Sequence, residues 1–261
     1  TTEVTNITAK TADCSGNVTS DGGALVTARG VCWSSSQNPT TSDSKIRSGT
    51  GLGTYTSNIT GLSPNTTYYI RAYATNSLGT AYGEQQSFTT NKEIPTVVTG
   101  EVTNITTTTA SCDGKVTADG GAEIIARGVC WSTSQFPAIS DSKTSSGTGL
   151  GFFTRKITGL SPNTTYYVRA YATNAVGTAY GEQRNFTTNQ EMPIVVTGEV
   201  TNITAKKADC SGNVTSDGGS LVTARGVCWS TTQNPTTSNS KIRSGTGPGT
   251  YTSSITGLSP N

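Results

Sequence analysis

Hydrophobic and polar residues alternate along short segments of this chain, and no segment shows the spacing of an amphipathic helix. From Ala12 to Val18, apolar or small residues occupy every second position, which is typical of a strand with one buried face. Turn sequences such as Asp21-Gly22-Gly23 separate these segments. We therefore predict an all-β protein. In the first 92 residues the predicted strands cover residues 4–8, 12–18, 28–33, a weak segment near 45, 54–62, 67–76 and 82–89.

The chain consists of three tandem copies of one unit. The sequence Glu-Val-Thr-Asn-Ile-Thr begins at Glu3 and recurs from Glu101 and Glu199, a period of 98 residues. Pro95 and Pro193 mark the boundaries between consecutive repeats. We define repeat 1 as residues 1–92, repeat 2 as residues 93–190 and repeat 3 as residues 191–261.

Each repeat has the size and the strand content of a known kind of domain. About seven short strands in about 100 residues fit a two-sheet immunoglobulin-like sandwich. The connecting segments are short and partly apolar, so we expect semi-rigid neighbours. Repeat 3 stops before the residues that form strands F and G of such a sandwich, and we expect the chain to be part of a longer protein. A bolder alternative is that another copy supplies the missing strands, as in donor-strand filaments.

Composition and charge exclude several classes of function. The chain has no histidine, which excludes Ser-His-Asp catalysis and histidine-bearing metal sites. Its net charge is +2 without a basic run, so nucleic acid and anionic membranes are not expected partners. Apolar runs such as Ile194 to Val196 are too short to span a membrane. The glycine-rich segment Gly49 to Gly53 lacks the lysine and the helix of a phosphate loop, and a hairpin loop is expected there. We predict no enzyme activity, cofactor or metal.

One stretch carries a family resemblance. The shared residues of repeat 1 are Leu62, Pro64, Thr66, Tyr68, Ile70, Ala72, Ala74, Asn76 and Gly79, and repeat 2 has the same pattern from Leu160 to Gly177. This pattern resembles the E–F corner and the F strand of fibronectin type III domains. The resemblance implies that the tyrosine hydrogen-bonds back across the corner and that the alternating aliphatic residues are buried.

A second stretch narrows the resemblance. Ala-Arg-Gly-Val-Cys-Trp-Ser begins at Ala28 and occurs in all three repeats, although the tryptophan usual in strand B is absent and Cys14 lies in that strand. Together with Tyr-Tyr-Val-Arg-Ala-Tyr-Ala-Thr-Asn, which begins at Tyr166, this stretch is similar to fibronectin type III-like repeats in secreted and surface proteins of Bacteroidota-type bacteria. The resemblance implies an extracellular or cell-surface spacer or adhesion module.

Six cysteines form three identically spaced pairs. The alternation in strand B turns Cys14 toward the core, and if Arg29 points to solvent then Cys32 points inward from the opposite sheet. This geometry favours one disulfide within each repeat. The alternative is two buried free thiols. The candidate residues are Cys14, Cys32, Cys112, Cys130, Cys210 and Cys228.

The same argument places an aromatic and guanidinium surface on the outside of one sheet. Planar rings and arginine side chains can stack on sugars or anchor a peptide, so this face is the candidate binding site for a glycan or a host or matrix protein. The alternative is a cross-strand ladder in which arginine stems cover the rings. The candidate residues are Arg29, Trp33, Tyr69, Arg71 and Tyr73 in repeat 1, and Arg127, Trp131, Tyr167, Arg169 and Tyr171 in repeat 2.

Two hypotheses for the function follow. The first is a structural stalk or fibre segment of a bacterial surface protein, whose partners are neighbouring domains of a longer chain or other copies in a filament. The second is a glycan- or protein-binding module that uses the aromatic face. The two differ in whether that face is exposed and free.

Overall fold

The computed structural model describes residues 1–259, which form strands, turns and loops without a helix. The predicted end of repeat 3, residues 260–261, lies outside this range. Repeats 1 and 2 are each a sandwich of two antiparallel sheets. The prediction of an all-β chain of tandem fibronectin type III-like sandwiches is confirmed.

Eight strands form repeat 1. They are β1 Val4–Thr5, β2 Ala12–Val18, β3 Ala28–Ser34, β4 Ser44–Arg47, β5 Gly53–Ile59, β6 Thr67–Asn76, β7 Gly79–Tyr82 and β8 Gln86–Thr89. One sheet has the order β1-β2-β5. The other has the order β4-β3-β6-β7, and β8 also pairs with β6.

Repeat 2 has the same arrangement. Its strands are β9 Thr96–Thr103, β10 Thr109–Ala118, β11 Ala126–Ser132, β12 Ser142–Lys143, β13 Gly151–Thr158, β14 Thr165–Thr173, β15 Thr178–Tyr180 and β16 Arg184–Thr187. The sheets have the orders β13-β10-β9 and β12-β11-β14-β15, and β16 pairs with β14. The equal order in two repeats shows that the internal repeat of the sequence is also a repeat of structure.

The described part of repeat 3 contains five strands. They are β17 Ile194–Thr201, β18 Lys207–Ser216, β19 Arg225–Trp229, β20 Ser240–Gly245 and β21 Gly249–Thr256. The first sheet, β17-β18-β21, matches those of the other repeats, and the second contains β19 and β20.

Three predicted strands differ from the structure by more than one residue, and the strand predicted over residues 54–62 is β5 Gly53–Ile59. The first strand ends at Thr5 because Asn6 has a φ of 51° and the Thr8 amide turns back to the Thr11 carbonyl at 2.9 Å. The predicted strand over residues 82–89 is divided into β7 and β8. Between them, the Arg71 side chain donates to the Gly83 carbonyl at 3.1 Å and so replaces a ladder hydrogen bond.

The core of each sandwich lies between its two sheets. In repeat 1, Val31, Ile59 and Ile70 are fully buried there. Gly16 in β2 leaves room for an aromatic ring from β5, since a Cβ on this glycine would lie 2.4 Å from the Tyr55 Oη. A glycine inside a strand thus serves close packing of the opposite ring.

The tyrosine corner is present in both complete copies of the E–F pattern. The Ser63 amide donates to the Tyr68 Oη at 3.1 Å, and the Ser161 amide donates to the Tyr166 Oη at 3.0 Å. The Tyr68 ring also stacks on Phe88, with 5.9 Å between centroids. The predicted hydrogen bond across the corner is confirmed.

Candidate functional site

The candidate binding residues of repeat 1 are divided between the two faces of one sheet. In the pairing of β3 with β6, Trp33 lies opposite Ile70 and Arg29 lies opposite Ala74. Directly paired residues point to the same face of a sheet. Ile70 belongs to the core and Trp33 packs against that core, so Arg29 and Trp33 lie on the inner face. The expectation that these two side chains point outward is wrong.

Arg29 can lie inward because it finds acceptors at the end of the sandwich. Its Nη1 donates to the carbonyls of Gly51, Leu52 and Gly53 at 3.3, 2.6 and 3.0 Å. Its guanidinium lies 5.2 Å from the centre of the Tyr55 ring. The glycine-rich segment is therefore a hairpin loop held by an arginine.

This arginine clamp is repeated in the other two copies. Arg127 binds the carbonyls of residues 149–151 and lies over Phe153 at 5.3 Å. Arg225 binds the carbonyls of residues 247–249 and lies over Tyr251 at 5.3 Å. Because three copies use the arginine in the same internal contact, its role in the described structure is to hold the loop.

The outer face of the same sheet carries Tyr69, Arg71 and Tyr73, as predicted. Tyr73 is only 6% exposed, and its hydroxyl donates to the Ile46 carbonyl at 3.3 Å. Burial raises the pKa of Tyr73 above its ordinary value. The Arg71 guanidinium lies 4.7 Å from the centre of the Tyr82 ring. Tyr69 is half-buried. The geometry thus corresponds to the cross-strand ladder, in which arginine side chains pack on the aromatic rings of neighbouring strands.

Repeat 2 reproduces this division. Trp131 packs against the core, whereas Tyr167, Arg169 and Tyr171 lie on the outer face. The Tyr171 hydroxyl donates to the Thr144 carbonyl at 2.8 Å, and Arg169 lies 4.7 Å from the Tyr180 ring centre. The predicted aromatic and arginine residues therefore lie on two faces of the sheet and do not form the single surface expected from the sequence.

The six cysteines are free thiols in the structure. Cys14 lies in the core, but Cys32 pairs with Arg71 on the other face of its sheet. The Cys32 thiol donates to the Pro39 carbonyl at 3.5 Å under the loop that follows β3. The premise that Cys14 and Cys32 both face the core is therefore wrong. The same separation recurs in repeat 2, where Cys112 belongs to the core and Cys130 contacts Pro137.

Burial also makes the thiols poor nucleophiles. Desolvation raises the pKa of Cys14 to about 11 and that of Cys112 to about 12. The pKa of Cys130 rises to about 11, again mainly by desolvation. Since the thiolate is the reactive form, these side chains act as small apolar groups at neutral pH.

Two exposed aromatic residues of repeat 2, Phe136 and Phe152, were not predicted from the sequence. Phe152 lies on the outer face of the β9-β10-β13 sheet, is 76% exposed, and has the Lys115 Nζ 4.4 Å from its ring centre. The signal was a difference between copies, since repeats 1 and 3 have Thr54 and Thr250 at this position. A large exposed ring that the other copies replace with threonine is not required by the fold.

Repeat 1 has a groove at one end, and in repeat 2 the main chain of Glu93 occupies the corresponding place. The groove has a volume of about 460 Å³ and is lined by Asp21, Gly22 and Asn76. In repeat 2, the corresponding Asn174 donates to the main-chain carbonyl of Glu93 at 2.7 Å. This place in the fold accommodates an extended main-chain segment.

Among residues 1–259, no three His, Cys, Asp or Glu side chains form a group that could hold a metal ion. The same residues include no helix with the length and hydropathy needed to cross a membrane.

No protein-family model matches the chain, and no curated protein matches it. Among solved structures, the FN1-FN3 domains of chicken CNTN1 are similar to this chain at 15% sequence identity, with 99% of this chain and 88% of that chain covered and a TM-score of 0.41. The sheet order of repeats 1 and 2 by itself shows the two-sheet sandwich.

Proposed function

We propose that this chain is a structural spacer in a longer extracellular or cell-surface protein of a bacterium, where tandem sandwiches set length and spacing. Its role is mechanical and not catalytic. The observation that carries the proposal is that hydrogen bonds hold the segment between repeats on both sides. A segment held in this way fixes the distance between the domains that it joins.

The start of the segment is bound to the preceding repeat. The Asn91 amide donates to the Thr8 carbonyl at 3.0 Å, and its side-chain Nδ2 donates to the Ile7 carbonyl at 2.8 Å. Two residues later, the Glu93 carboxylate forms an ion pair with the Lys10 ammonium at 2.8 Å. Residues 91–93 therefore follow the surface of repeat 1.

The end of the segment is bound to the following repeat. The Glu93 amide donates to the Gly120 carbonyl at 2.9 Å, and the Glu93 carbonyl accepts from the Asn174 Nδ2 at 2.7 Å. β9 then begins at Thr96. Only residues 94 and 95 separate the last of these bonds from a regular strand, so little length is free to act as a hinge.

The second connection repeats three of these hydrogen bonds. The Asn189 amide and side chain donate to the carbonyls of Thr106 and Ile105, each at 3.0 Å. The Glu191 amide donates to the Gly218 carbonyl at 2.8 Å. Because both connections make these three hydrogen bonds, regular spacing is a property of the repeat itself.

Nuclear spin relaxation of the amide nitrogens of the whole chain tests this proposal. Repeats 1 and 2 should share one overall tumbling time. A control variant with about ten Gly and Ser residues inserted between Lys92 and Glu93 should separate the two tumbling times, because such linkers behave as flexible coils. Independent tumbling of the repeats in the unmodified chain would refute the spacer role.

A second candidate function is binding of a glycan or a matrix protein by repeat 2. The exposed Phe152 ring with Lys115 at its face favours it, since such a ring can stack on a sugar or an apolar side chain. The test is a glycan and matrix-protein screen with the whole chain and the Phe152→Thr variant, which restores the residue type of repeats 1 and 3. Saturable binding that this variant loses would support the function, and equal binding by both proteins would exclude Phe152 as its site.

A further inference from the structure

We infer that each repeat recognises the next one through a specific contact that sets the angle between them. A Pro-Asn corner of one repeat docks on the second glycine of an Asp-Gly-Gly turn in the following repeat. We call this contact the joint. Joint 1 consists of residues 64–65 and 119–121, and joint 2 consists of residues 162–163 and 217–219. The inference deepens the proposed spacer function and rests on it.

At joint 1 the two backbones are too close for a side chain to lie between them. A Cβ placed on Gly121 would lie 2.5 Å from the Asn65 Cβ and 2.9 Å from the Pro64 carbonyl carbon. Neither atom is the movable end of a long side chain. Any residue larger than glycine at position 121 must therefore displace repeat 1 from repeat 2.

Joint 2 repeats this geometry with different neighbours. A Cβ on Gly219 would lie 2.5 Å from the Asn163 Cβ and 2.8 Å from the Pro162 carbonyl oxygen. The Asn163 Nδ2 also donates to the Gly219 carbonyl. Two joints with the same close approach indicate a defined docking geometry instead of a chance contact.

The Asp-Gly-Gly turn of repeat 1 shows which requirement for glycine comes from the turn conformation and which comes from the joint. Gly23 occupies the same position as Gly121 and Gly219, with a φ of 81° against 76° and 79°. Nothing lies within 4 Å of a Cβ at Gly23. The left-handed backbone favours glycine at all three positions, but only Gly121 and Gly219 are also limited by contact with a neighbouring repeat.

The corner that docks is itself held rigidly. The Ser63 amide is bound by Tyr68 at 3.1 Å, and the Ser63 carbonyl accepts from the Thr90 hydroxyl at 2.6 Å. The Asn65 amide donates to the Asn91 carbonyl at 3.2 Å, and its φ is 48°. The tyrosine corner and the start of the linker thus fix the surface that meets the next repeat.

Residual dipolar couplings of the whole chain test the inference, because two domains with a fixed angle share one alignment tensor. Gly121→Ala and Gly23→Ala introduce the same methyl group at the same turn position. We expect the unmodified chain and Gly23→Ala to keep a shared tensor for repeats 1 and 2. In Gly121→Ala, repeats 1 and 2 should no longer share one alignment tensor, while the amide spectrum of each repeat remains that of a folded domain.

A second variant distinguishes loss of the joint from misfolding of the turn at Gly121. Asn65→Gly removes the docking Cβ and keeps a residue that accepts a positive φ, so it should loosen joint 1 without a clash. Asn163→Gly should affect joint 2 and leave joint 1 unchanged. A shared tensor for repeats 1 and 2 that persists in both Gly121→Ala and Asn65→Gly would overturn the inference and leave the spacer function standing. Separate tensors in the unmodified chain would overturn both.

Discussion

At the scale of single residues, the repeated arginine of the Ala-Arg-Gly-Val-Cys-Trp-Ser segment makes its contacts inside the sandwich. Arg127 gives the clearest case, because its guanidinium donates to three loop carbonyls and covers the Phe153 ring. In a repeat of under 100 residues, such a contact joins the hairpin loop to the sheet. The arginine that the sequence offers as a ligand-binding group is therefore expected to contribute to stability.

Replacing this arginine should destabilise repeat 2. Arg127→Met keeps an apolar stem but removes the donors and the charge over the ring, and we expect a loss of about 2 kcal/mol in the free energy of unfolding. Urea denaturation measures it. Arg184→Met is the matched control, since Arg184 is exposed and should change the free energy by less than about 0.5 kcal/mol. Equal effects of the two substitutions would contradict the clamp.

The cysteines allow a pH test. The pKa of Cys14 rises to about 11 and that of Cys112 to about 12 in the fold, whereas unfolded thiols keep their ordinary value. The unfolded state therefore releases protons first, and stability falls as the pH rises from about 9 toward these values. Replacing both cysteines by alanine should flatten this fall, as measured by denaturation at several pH values. An unchanged slope would contradict buried free thiols.

The orientation of Cys32 marks the limit of prediction from these residues. Alternation in the strand that contains Cys32 is correct, but its phase was set by assuming that Arg29 must face water. The loop carbonyls that receive Arg29 come from a segment about 22 residues away, and their position depends on tertiary structure. Local patterns define which residues share a face, whereas the identity of that face needs the folded neighbours.

At the scale of elements, the strands follow the sequence pattern closely where one face is buried. The bounds of β2 and β6 agree with the predicted residues 12–18 and 67–76. The pattern fails at residues 83–85, where a side chain takes the place of a ladder bond and no local signal announces it. The E–F corner, in contrast, is encoded locally and forms as expected.

The corner offers a test at this scale. Tyr166→Phe removes the acceptor of the Ser161 amide, and we expect repeat 2 to lose about 1 kcal/mol of stability. Tyr167→Phe, one residue along β14, is the control, because Tyr167 lies on the outer face of the sheet opposite Ser132 and not at the corner. Thermal denaturation of the two variants compares them. A control that is as destabilised as Tyr166→Phe would show that the corner hydrogen bond is not the cause.

At the scale of the whole molecule, the two connecting segments share three hydrogen bonds but differ in charge. Lys10 pairs with Glu93 in the first connection, whereas Thr108 stands at the position of Lys10 in the second. An exposed ion pair adds little to stability and is screened by salt. Repeat periodicity could be read from the sequence, but the glycine contacts could not, because they form only when two folded repeats meet.

We propose that the chain is a rod that holds its domains at a fixed spacing. Small-angle X-ray scattering of the whole chain tests it most directly, beside the variant with the flexible insertion after Lys92. With sandwiches of about 30 Å each, we expect a maximum dimension of about 90 Å and a narrow range of shapes. The insertion should broaden that range. A particle much shorter than this, or a scattering curve that the insertion leaves unchanged, would contradict the account.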